Sequence, residues 1–441
     1  MALWRRRAGR CTRTAACVVL ATLLWLHLHL QVARPASSAE GGGPPPGAEA
    51  PSPGHRGAAE LTSTTSPRAR AQRGSTSQPG IADIRRSLER YNEAQAVLNE
   101  DVFGPVRNDT LVIVVQVHRR MAYLRHLIHS LAQARDIDQV LLVFSHDFYD
   151  EEMNELVQSV DFCKVMQIFY PHSIQTHPHE FPGESSDDCP RNIKKKAAIQ
   201  SQCVNAMHPD SYGHYREAKF TQIKHHWWWK ANWVFNKLTV THNHEGLVLF
   251  LEEDHYVAED FIHILRLMQL TCRTSCPRCN ILSLGTYQKK FDFSKESNKT
   301  VVAQWTGNKH NMGMALNGST WRAVQKCAHV FCTYDDYNWD WSLQFSAQQC
   351  LRSDLVTLMM KQPRVFHLGE CGLHHGKANC EPRAALSAVQ WLLQAARQHL
   401  YPPALAVTAP RASRKKLVKS NGGWGDVRDH QLCLNMTLPA R

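Results

Sequence analysis

The apolar run Leu247-Val-Leu-Phe-Leu251 reads as a fully buried strand and stops abruptly in Glu252, Glu253, Asp254 and His255. A strand of this kind delivers charge to the rim of a sheet. In an open α/β sheet, ligands bind in the crevice outside the carboxyl ends of the strands, and clustered hard oxygens there suit a divalent cation holding a diphosphate. The alternative is a solvated acidic turn. A second constellation, Cys332-Thr-Tyr-Asp-Asp-Tyr-Asn-Trp-Asp-Trp341, sets Asp335, Asp336 and Asp340 among aromatic rings. Rings stack on sugar faces while carboxylates hold hydroxyls or take their protons. The competing reading is a helix start whose acids complement its dipole. His367, after a short apolar run, reads by itself as a satisfied structural histidine unless a metal lies nearby.

The elements that must position these residues alternate. Leu111 to Val117, Val140 to Ser145 and Val165 to Phe169 read as buried strands, separated by helices at Met121 to Ala134 and near Glu151 to Val160. This β-α-β-α-β order implies a parallel, nucleotide-binding sheet with right-handed crossovers. Its first strand ends in Gln116-Val-His-Arg-Arg120 and its second in Ser145-His-Asp147, on the same rim as Glu252 to Asp254. Glycine-rich dinucleotide and Walker loops are absent, so a metal and side chains must hold any phosphate. A long helix is expected from about Glu217 to Thr239, and its Trp227-Trp-Trp229 triplet reads as core packing rather than a sugar platform. A helix at Ala258 to Leu270, a strand at Asn280 to Tyr287 and an exposed, sequon-bearing loop to about Ala303 follow.

The N-terminus bears on the compartment. Arg5, Arg6, Arg7, Arg10 and Arg13 precede an apolar stretch from Ala15 to Ala33, the pattern of a signal anchor with its basic flank in the cytosol. A cleaved signal peptide ending near Ser37-Ser38-Ala39 is the alternative. Residues 34 to 80 are rich in Gly, Pro, Ser, Ala and Thr and read as a disordered luminal stem, leaving 1–14 as a cytosolic tail, 15–33 as a membrane span and 81–441 as the catalytic domain. Of the 14 cysteines, all but Cys11 and Cys17 follow residue 160, which fits disulfides in an oxidising lumen. Sequons at Asn108, Asn298, Asn317 and Asn435 agree. Cys276-Pro-Arg-Cys279 has no second CxxC to complete a zinc site and reads as a small structural loop. Much of the net charge of +12 sits in the tail and stem, so nucleic acid is not an expected partner.

Long stretches of the chain resemble one family. Ser211-Tyr-Gly-His-Tyr-Arg-Glu-Ala-Lys219, Lys224-His-His-Trp-Trp-Trp-Lys230, Phe250-Leu-Glu-Glu-Asp-His-Tyr256, Thr333-Tyr-Asp-Asp-Tyr-Asn-Trp-Asp-Trp341 and Asn421-Gly-Gly-Trp-Gly-Asp426 resemble the N-acetylglucosaminyltransferase II family, over residues from about Leu111 onward. The anchor and stem match in kind but not in sequence. The resemblance implies an α/β fold of the GT-A glycosyltransferase class, Mn²⁺, UDP-N-acetylglucosamine as donor and the α1,6-arm mannose of an N-glycan as acceptor. It also implies a single-pass type II protein of the Golgi membrane with a luminal catalytic domain, and inverting transfer by direct displacement.

By position it makes Asp254 and His367 metal ligands and Asp340 the general base. It assigns Gln116, Val117, His118, Arg119, Arg120, Asp147, Gln222, Ile223, Lys224, His225 and His226 to the nucleotide sugar. Disulfides are implied for Cys189 with Cys203, Cys276 with Cys279, Cys327 with Cys350, Cys332 with Cys433 and Cys371 with Cys380, leaving Cys163 and Cys272 free. The sequence departs from the family at Arg119 and Met121, which flank Arg120 where the family has Asn-Arg-Pro, and at Lys289 or Lys290, where a basic residue of the family is arginine. The rival readings are a related luminal transferase with another mannose acceptor and a silent glycan-binding Golgi protein. The joint presence of Asp254, Asp340 and His367 argues against the second.

Overall fold

The structure, a computed structural model, describes residues 79–351, 354–369, 382–408 and 419–437 of the chain. The expected tail, anchor and nearly all of the stem lie outside the described residues, as do Cys371 and Cys380. No helix among the described residues is long and apolar enough to cross a membrane.

The strands are β1 (Val112–Val117), β2 (Leu141–His146), β3 (Lys164–Phe169), β4 (Leu247–Glu252), β5 (His255–Val257), β6 (Ile281–Ser283), β7 (Lys299–Gln304), β8 (Met314–Asn317), β9 (Val356–Met360), β10 (Val365–His367) and β11 (Ala406–Thr408). One sheet carries the order β11-β7-β9-β6-β8-β4-β1-β2-β3, and β5 pairs separately with β10. The expected parallel unit is present: β1 lies between β2 and β4, parallel to both, and β3 extends it beyond β2. Its strands read as continuous apolar runs because both faces are covered. Ile113, Val115 and Val117 enter one apolar layer with Leu124, Leu127 and Phe261, while Val112 and Val114 enter the other with Trp227 and Trp228.

The far half of the sheet differs from the expectation. It is mixed, since β8 runs antiparallel to both β4 and β6, and β7 antiparallel to β9. The exposed loop expected up to Ala303 is instead partly ordered, because Lys299–Gln304 is a strand with Thr300 and Val302 buried against the sheet. Thr300 and Val302 alternate in burial with half-exposed Lys299, Val301 and Ala303, but the run Thr-Val-Val-Ala carries little period-two contrast in sequence to reveal it. The strand expected at Asn280 to Tyr287 ends at Ser283. Beyond it Gly285 meets Met312 so closely that a Cβ would lie 2.5 Å from Met312 Cγ.

The Ala218–Asn236 helix runs through the core, with Trp227, Trp228 and Trp229 at 1%, 0% and 4% exposure. The triplet therefore packs the interior, as its sequence suggested. Disulfides join Cys189 to Cys203, Cys276 to Cys279, Cys327 to Cys350 and Cys332 to Cys433, and Cys163 and Cys272 are free.

Candidate active site

The register of the parallel strands brings their carboxyl ends level, with Gln116 opposite both Ser145 and Glu252. Asp147, just past β2, is the centre of the first polar cluster. His118 Nδ1 lies 2.6 Å from its Oδ1, Gln222 Nε2 donates to its Oδ2 at 3.0 Å, and His226 Nδ1 sits 3.5 Å from the same oxygen. Burial alone would push the Asp147 carboxyl up, but His118 and His226 hold it well below the ordinary carboxylate range. The cluster is thus a fixed anion ringed by donors at the strand ends.

The residues expected at the nucleotide divide by side-chain direction. Gln116, His118, Arg119, Arg120, Asp147, Gln222 and His226 reach this rim, whereas Val117 packs in the core and Ile223 against it. Lys224 and His225 turn elsewhere: Lys224 bonds to main-chain carbonyls of Tyr334 and Asp336, and His225 Nε2 lies 2.9 Å from Asp429. The helix explains the split, since positions 222, 226 and 230 share one face and 224 and 225 point away from it. Lys230, which the sequence reading quoted but did not assign, occupies that shared face. It is buried and donates to Gln116 Oε1, and burial pushes its ammonium down to about 7 against the pull of Glu252 and Asp147. Its spacing of four from His226 was the available signal.

The acids after β4 also take separate roles. Glu253 is buried and accepts from the His118 amide at 2.8 Å and from Arg120 Nε at 2.6 Å, so it ties down the end of β1. Arg120 Nη1 reaches Asp254 Oδ2 at 2.7 Å. Pairing of β5 with β10 sets His367 opposite His255 and places His367 Nε2 3.2 Å from Asp254 Oδ2. Asp254 Oδ1 is buried with no hydrogen-bond partner among the described residues. Gly369 lies over this pair, and a Cβ there would crowd Asp254 Oδ2 and come within 2.9 Å of His367 Cε1.

An open carboxylate oxygen, an imidazole and a glycine-lined space fit a divalent ion that accepts oxygen and nitrogen ligands. Glu252, Asp254 and His255 also come within 4.8 Å of one another. His255, however, accepts the Glu252 amide on Nδ1 at 3.1 Å, and burial keeps the ring neutral by lowering its pKa to about 3. Its remaining nitrogen therefore carries the proton and cannot ligate, which leaves Asp254 and His367 as the fitting pair.

Asp340 stands in the first turn of the Trp339–Gln349 helix and is 9% exposed. An acid that merely complemented a dipole would be solvated; burial, with Asp336 and Glu252 nearby, instead raises this carboxyl to about 7. Asn311 Nδ2 donates to its Oδ2 at 3.1 Å, and Tyr287 Oη donates to the other end of the same amide at 3.0 Å. An ionised carboxylate and a phenol can share that amide only with nitrogen toward Asp340, so the network orients Asn311. Gly307 packs on the main chain of Asp340, where a Cβ would lie 2.7 Å from its carbonyl oxygen. Burial, Glu252, Asp340 and Asp254 all push the Tyr287 phenol up, while its hydrogen bond to Asn311 opposes them.

Comparison with known proteins shows the family. A model of the N-acetylglucosaminyltransferase II family matches residues 85–433. The alpha-1,6-mannosyl-glycoprotein 2-beta-N-acetylglucosaminyltransferase of Sus scrofa is 45% identical over 360 residues, covering 81% of this chain and 80% of that protein. The enzyme of the same name from Mus musculus is 48% identical over 73% of each chain, and that from Arabidopsis thaliana 34% identical over 78% of each. Among solved structures, Staphylococcus aureus TarS 1-349 aligns with 58% of this chain and 60% of that chain at 10% identity and a TM-score of 0.30, too distant to argue from. On the family match and the identities, the chain belongs to the N-acetylglucosaminyltransferase II family.

Proposed function

We propose that this enzyme transfers N-acetylglucosamine from UDP-N-acetylglucosamine to the 2-hydroxyl of the α1,6-arm mannose of an N-glycan, forming a β1,2 linkage. The observation that carries the reading is the buried Asp340 carboxyl, oriented by Asn311, together with an Asp254 and His367 pair suited to a cation. The sheet is of the GT-A glycosyltransferase kind in this reading, with the Asp147 cluster on the nucleotide side.

Asp340 acts as general base. It takes the proton of the mannose hydroxyl as that oxygen attacks the anomeric carbon of the donor, and the glycosidic bond to the diphosphate breaks with inversion. A group titrating near the working pH is best matched to such a transfer, typically worth two to four powers of ten. Asn311 donates to one carboxylate oxygen at 3.1 Å and the Trp341 amide to the other at 2.9 Å, and the lone pairs these oxygens retain are what the incoming hydroxyl meets. Gln116, His118, Gln222 and His226, organised around Asp147, orient the nucleotide, with Lys230 fixing Gln116. Asp254 and His367 hold Mn²⁺, which when bound neutralises charge on the departing diphosphate. The protein works in the Golgi membrane, anchored by residues 15–33 with the catalytic domain in the lumen.

The test is to incubate the purified protein with Mn²⁺, UDP-N-acetylglucosamine and an N-glycan already bearing N-acetylglucosamine on its α1,3 arm, and to read the product linkage by NMR. A new β1,2 linkage on the α1,6-arm mannose, lost with EDTA, is the expected result. No product from a folded protein that binds UDP would overturn it.

A further inference from the structure

Lys224 is fully buried, and its ammonium faces neither nucleotide side chains nor solvent. It donates to the carbonyl of Tyr334 at 3.1 Å and to that of Asp336 at 3.0 Å, and lies 4.0 Å from the centre of the Trp424 ring. Both carbonyls belong to the irregular stretch that leads into the Trp339–Gln349 helix. Burying an ammonium is costly unless its donors are used, and carbonyls outside regular structure need partners from somewhere. Lys224 uses its donors on these two carbonyls, the first of which also accepts the Asp336 amide at 2.8 Å.

The Asp336 carbonyl is also the acceptor for Ser342 Oγ at 3.1 Å, and Ser342 is two residues beyond Asp340 on the same helix. The Asp336 carboxylate is locked as well, by Asn338 on one oxygen and by the main chain and side chain of Asn421 on the other, at 2.9 to 3.0 Å. Three residues after Lys224, Trp227 stacks on Trp339 at 4.2 Å with their planes 5° apart. The helix that brings Gln222 and His226 to the nucleotide side therefore holds the chain leading into Asp340 at two places, through Lys224 and Trp227.

We propose that Lys224 is a positioning residue for Asp340, acting through the carbonyls of Tyr334 and Asp336, and that it makes no contribution to donor binding. The proposal rests on Asp340 being the base. Misplacing a reacting group by about 1 Å costs roughly a hundredfold in rate without weakening ground-state contacts elsewhere. Loss of Lys224 accordingly lowers kcat and spares the nucleotide.

The experiment compares Lys224→Met and Lys224→Gln with Gln222→Ala and Asp340→Asn, measuring kcat, donor KM and, by calorimetry, the Kd for UDP with Mn²⁺. Lys224→Met is expected to reduce kcat about ten- to a hundredfold while donor KM and UDP Kd stay within about twofold. Lys224→Gln, which keeps an amide donor for one carbonyl, is expected to fall between it and the unmodified enzyme, and it decides the matter should Lys224→Met fail to fold. A rise in UDP Kd like that of Gln222→Ala would return Lys224 to the donor site and overturn the proposal, as would an unchanged kcat in both variants. Full activity of Asp340→Asn would instead remove the base, a failure of the underlying reading that is separable from the behaviour of Lys224.

Discussion

The two sides of the cleft are built by different means. The donor side is assembled by strand register: β1, β2 and β4 lie adjacent and parallel, so Gln116, Asp147 and Glu252 arrive together once those strands pair. The base side has no such lattice. The stretch before Asp340 is held by Lys224, by Asn421 and Trp424, and by the Cys332–Cys433 disulfide, which spans a sequence separation of 101. A nucleotide site can thus come from a regular scaffold, while the base depends on distant, individually placed contacts. Damage to the base side should appear in turnover, and damage to the donor side in binding.

Asp340→Asn is the sharpest way to break this contrast. It should lower kcat by about two to four powers of ten with UDP binding intact, and a comparable loss of binding would show that the sides are not separable. The unmodified enzyme should also lose kcat about tenfold per pH unit below about pH 7, where Asp340 becomes protonated. The stability sign follows from the same shift. A carboxyl raised in the folded state contributes fully to stability only below its unfolded pKa of about 4 and loses that contribution between there and about pH 7, so the melting temperature of Asp340→Asn relative to the unmodified protein should rise from pH 4 to pH 8.5. Asp254→Ala should abolish the Mn²⁺ dependence of UDP binding, on the order of a hundredfold, measured by titration with and without EDTA. Gly369→Ala, whose methyl would crowd Asp254 and His367, should weaken Mn²⁺ by about ten- to a hundredfold and leave the melting temperature nearly unchanged. Asn311→Ala should have the smallest effect, roughly tenfold in kcat, with the acid limb of the pH profile moved upward because the carboxylate loses a donor.

This contrast also explains what could be read from the chain. Continuous apolar runs such as Leu141-Leu-Val-Phe144 mark strands covered on both faces, and the abrupt change from Leu251 to Glu252 marks a sheet rim, because burial and charge seldom meet within one residue. The mixed half of the sheet was harder, since β6 and β11 span three residues each, too short for period to speak. His367 looked structural in isolation because only the β5–β10 register carries it to Asp254. Lys224 and Lys230 sit six residues apart in one motif, yet helix geometry sends one to the loop before Asp340 and the other to Gln116. Their surroundings, not their identities, distinguish them.

The docking of Asn421 to Trp424 on the Asp335 and Asp336 loop carries a consequence for the order in which the protein becomes competent. By the time a ribosome has added Gly369, every side chain named on the donor side has been made. Beyond Lys224, the contacts that hold the loop before Asp340 arrive only with the Asn421–Asp426 stretch and with the Val427–Asn435 helix, whose Cys433 must still be oxidised onto Cys332. A chain ending between these points would lack the clasp on the loop before Asp340 and would also lack Asp429, which anchors the donor helix through His225, so the last residues made complete the two sides together.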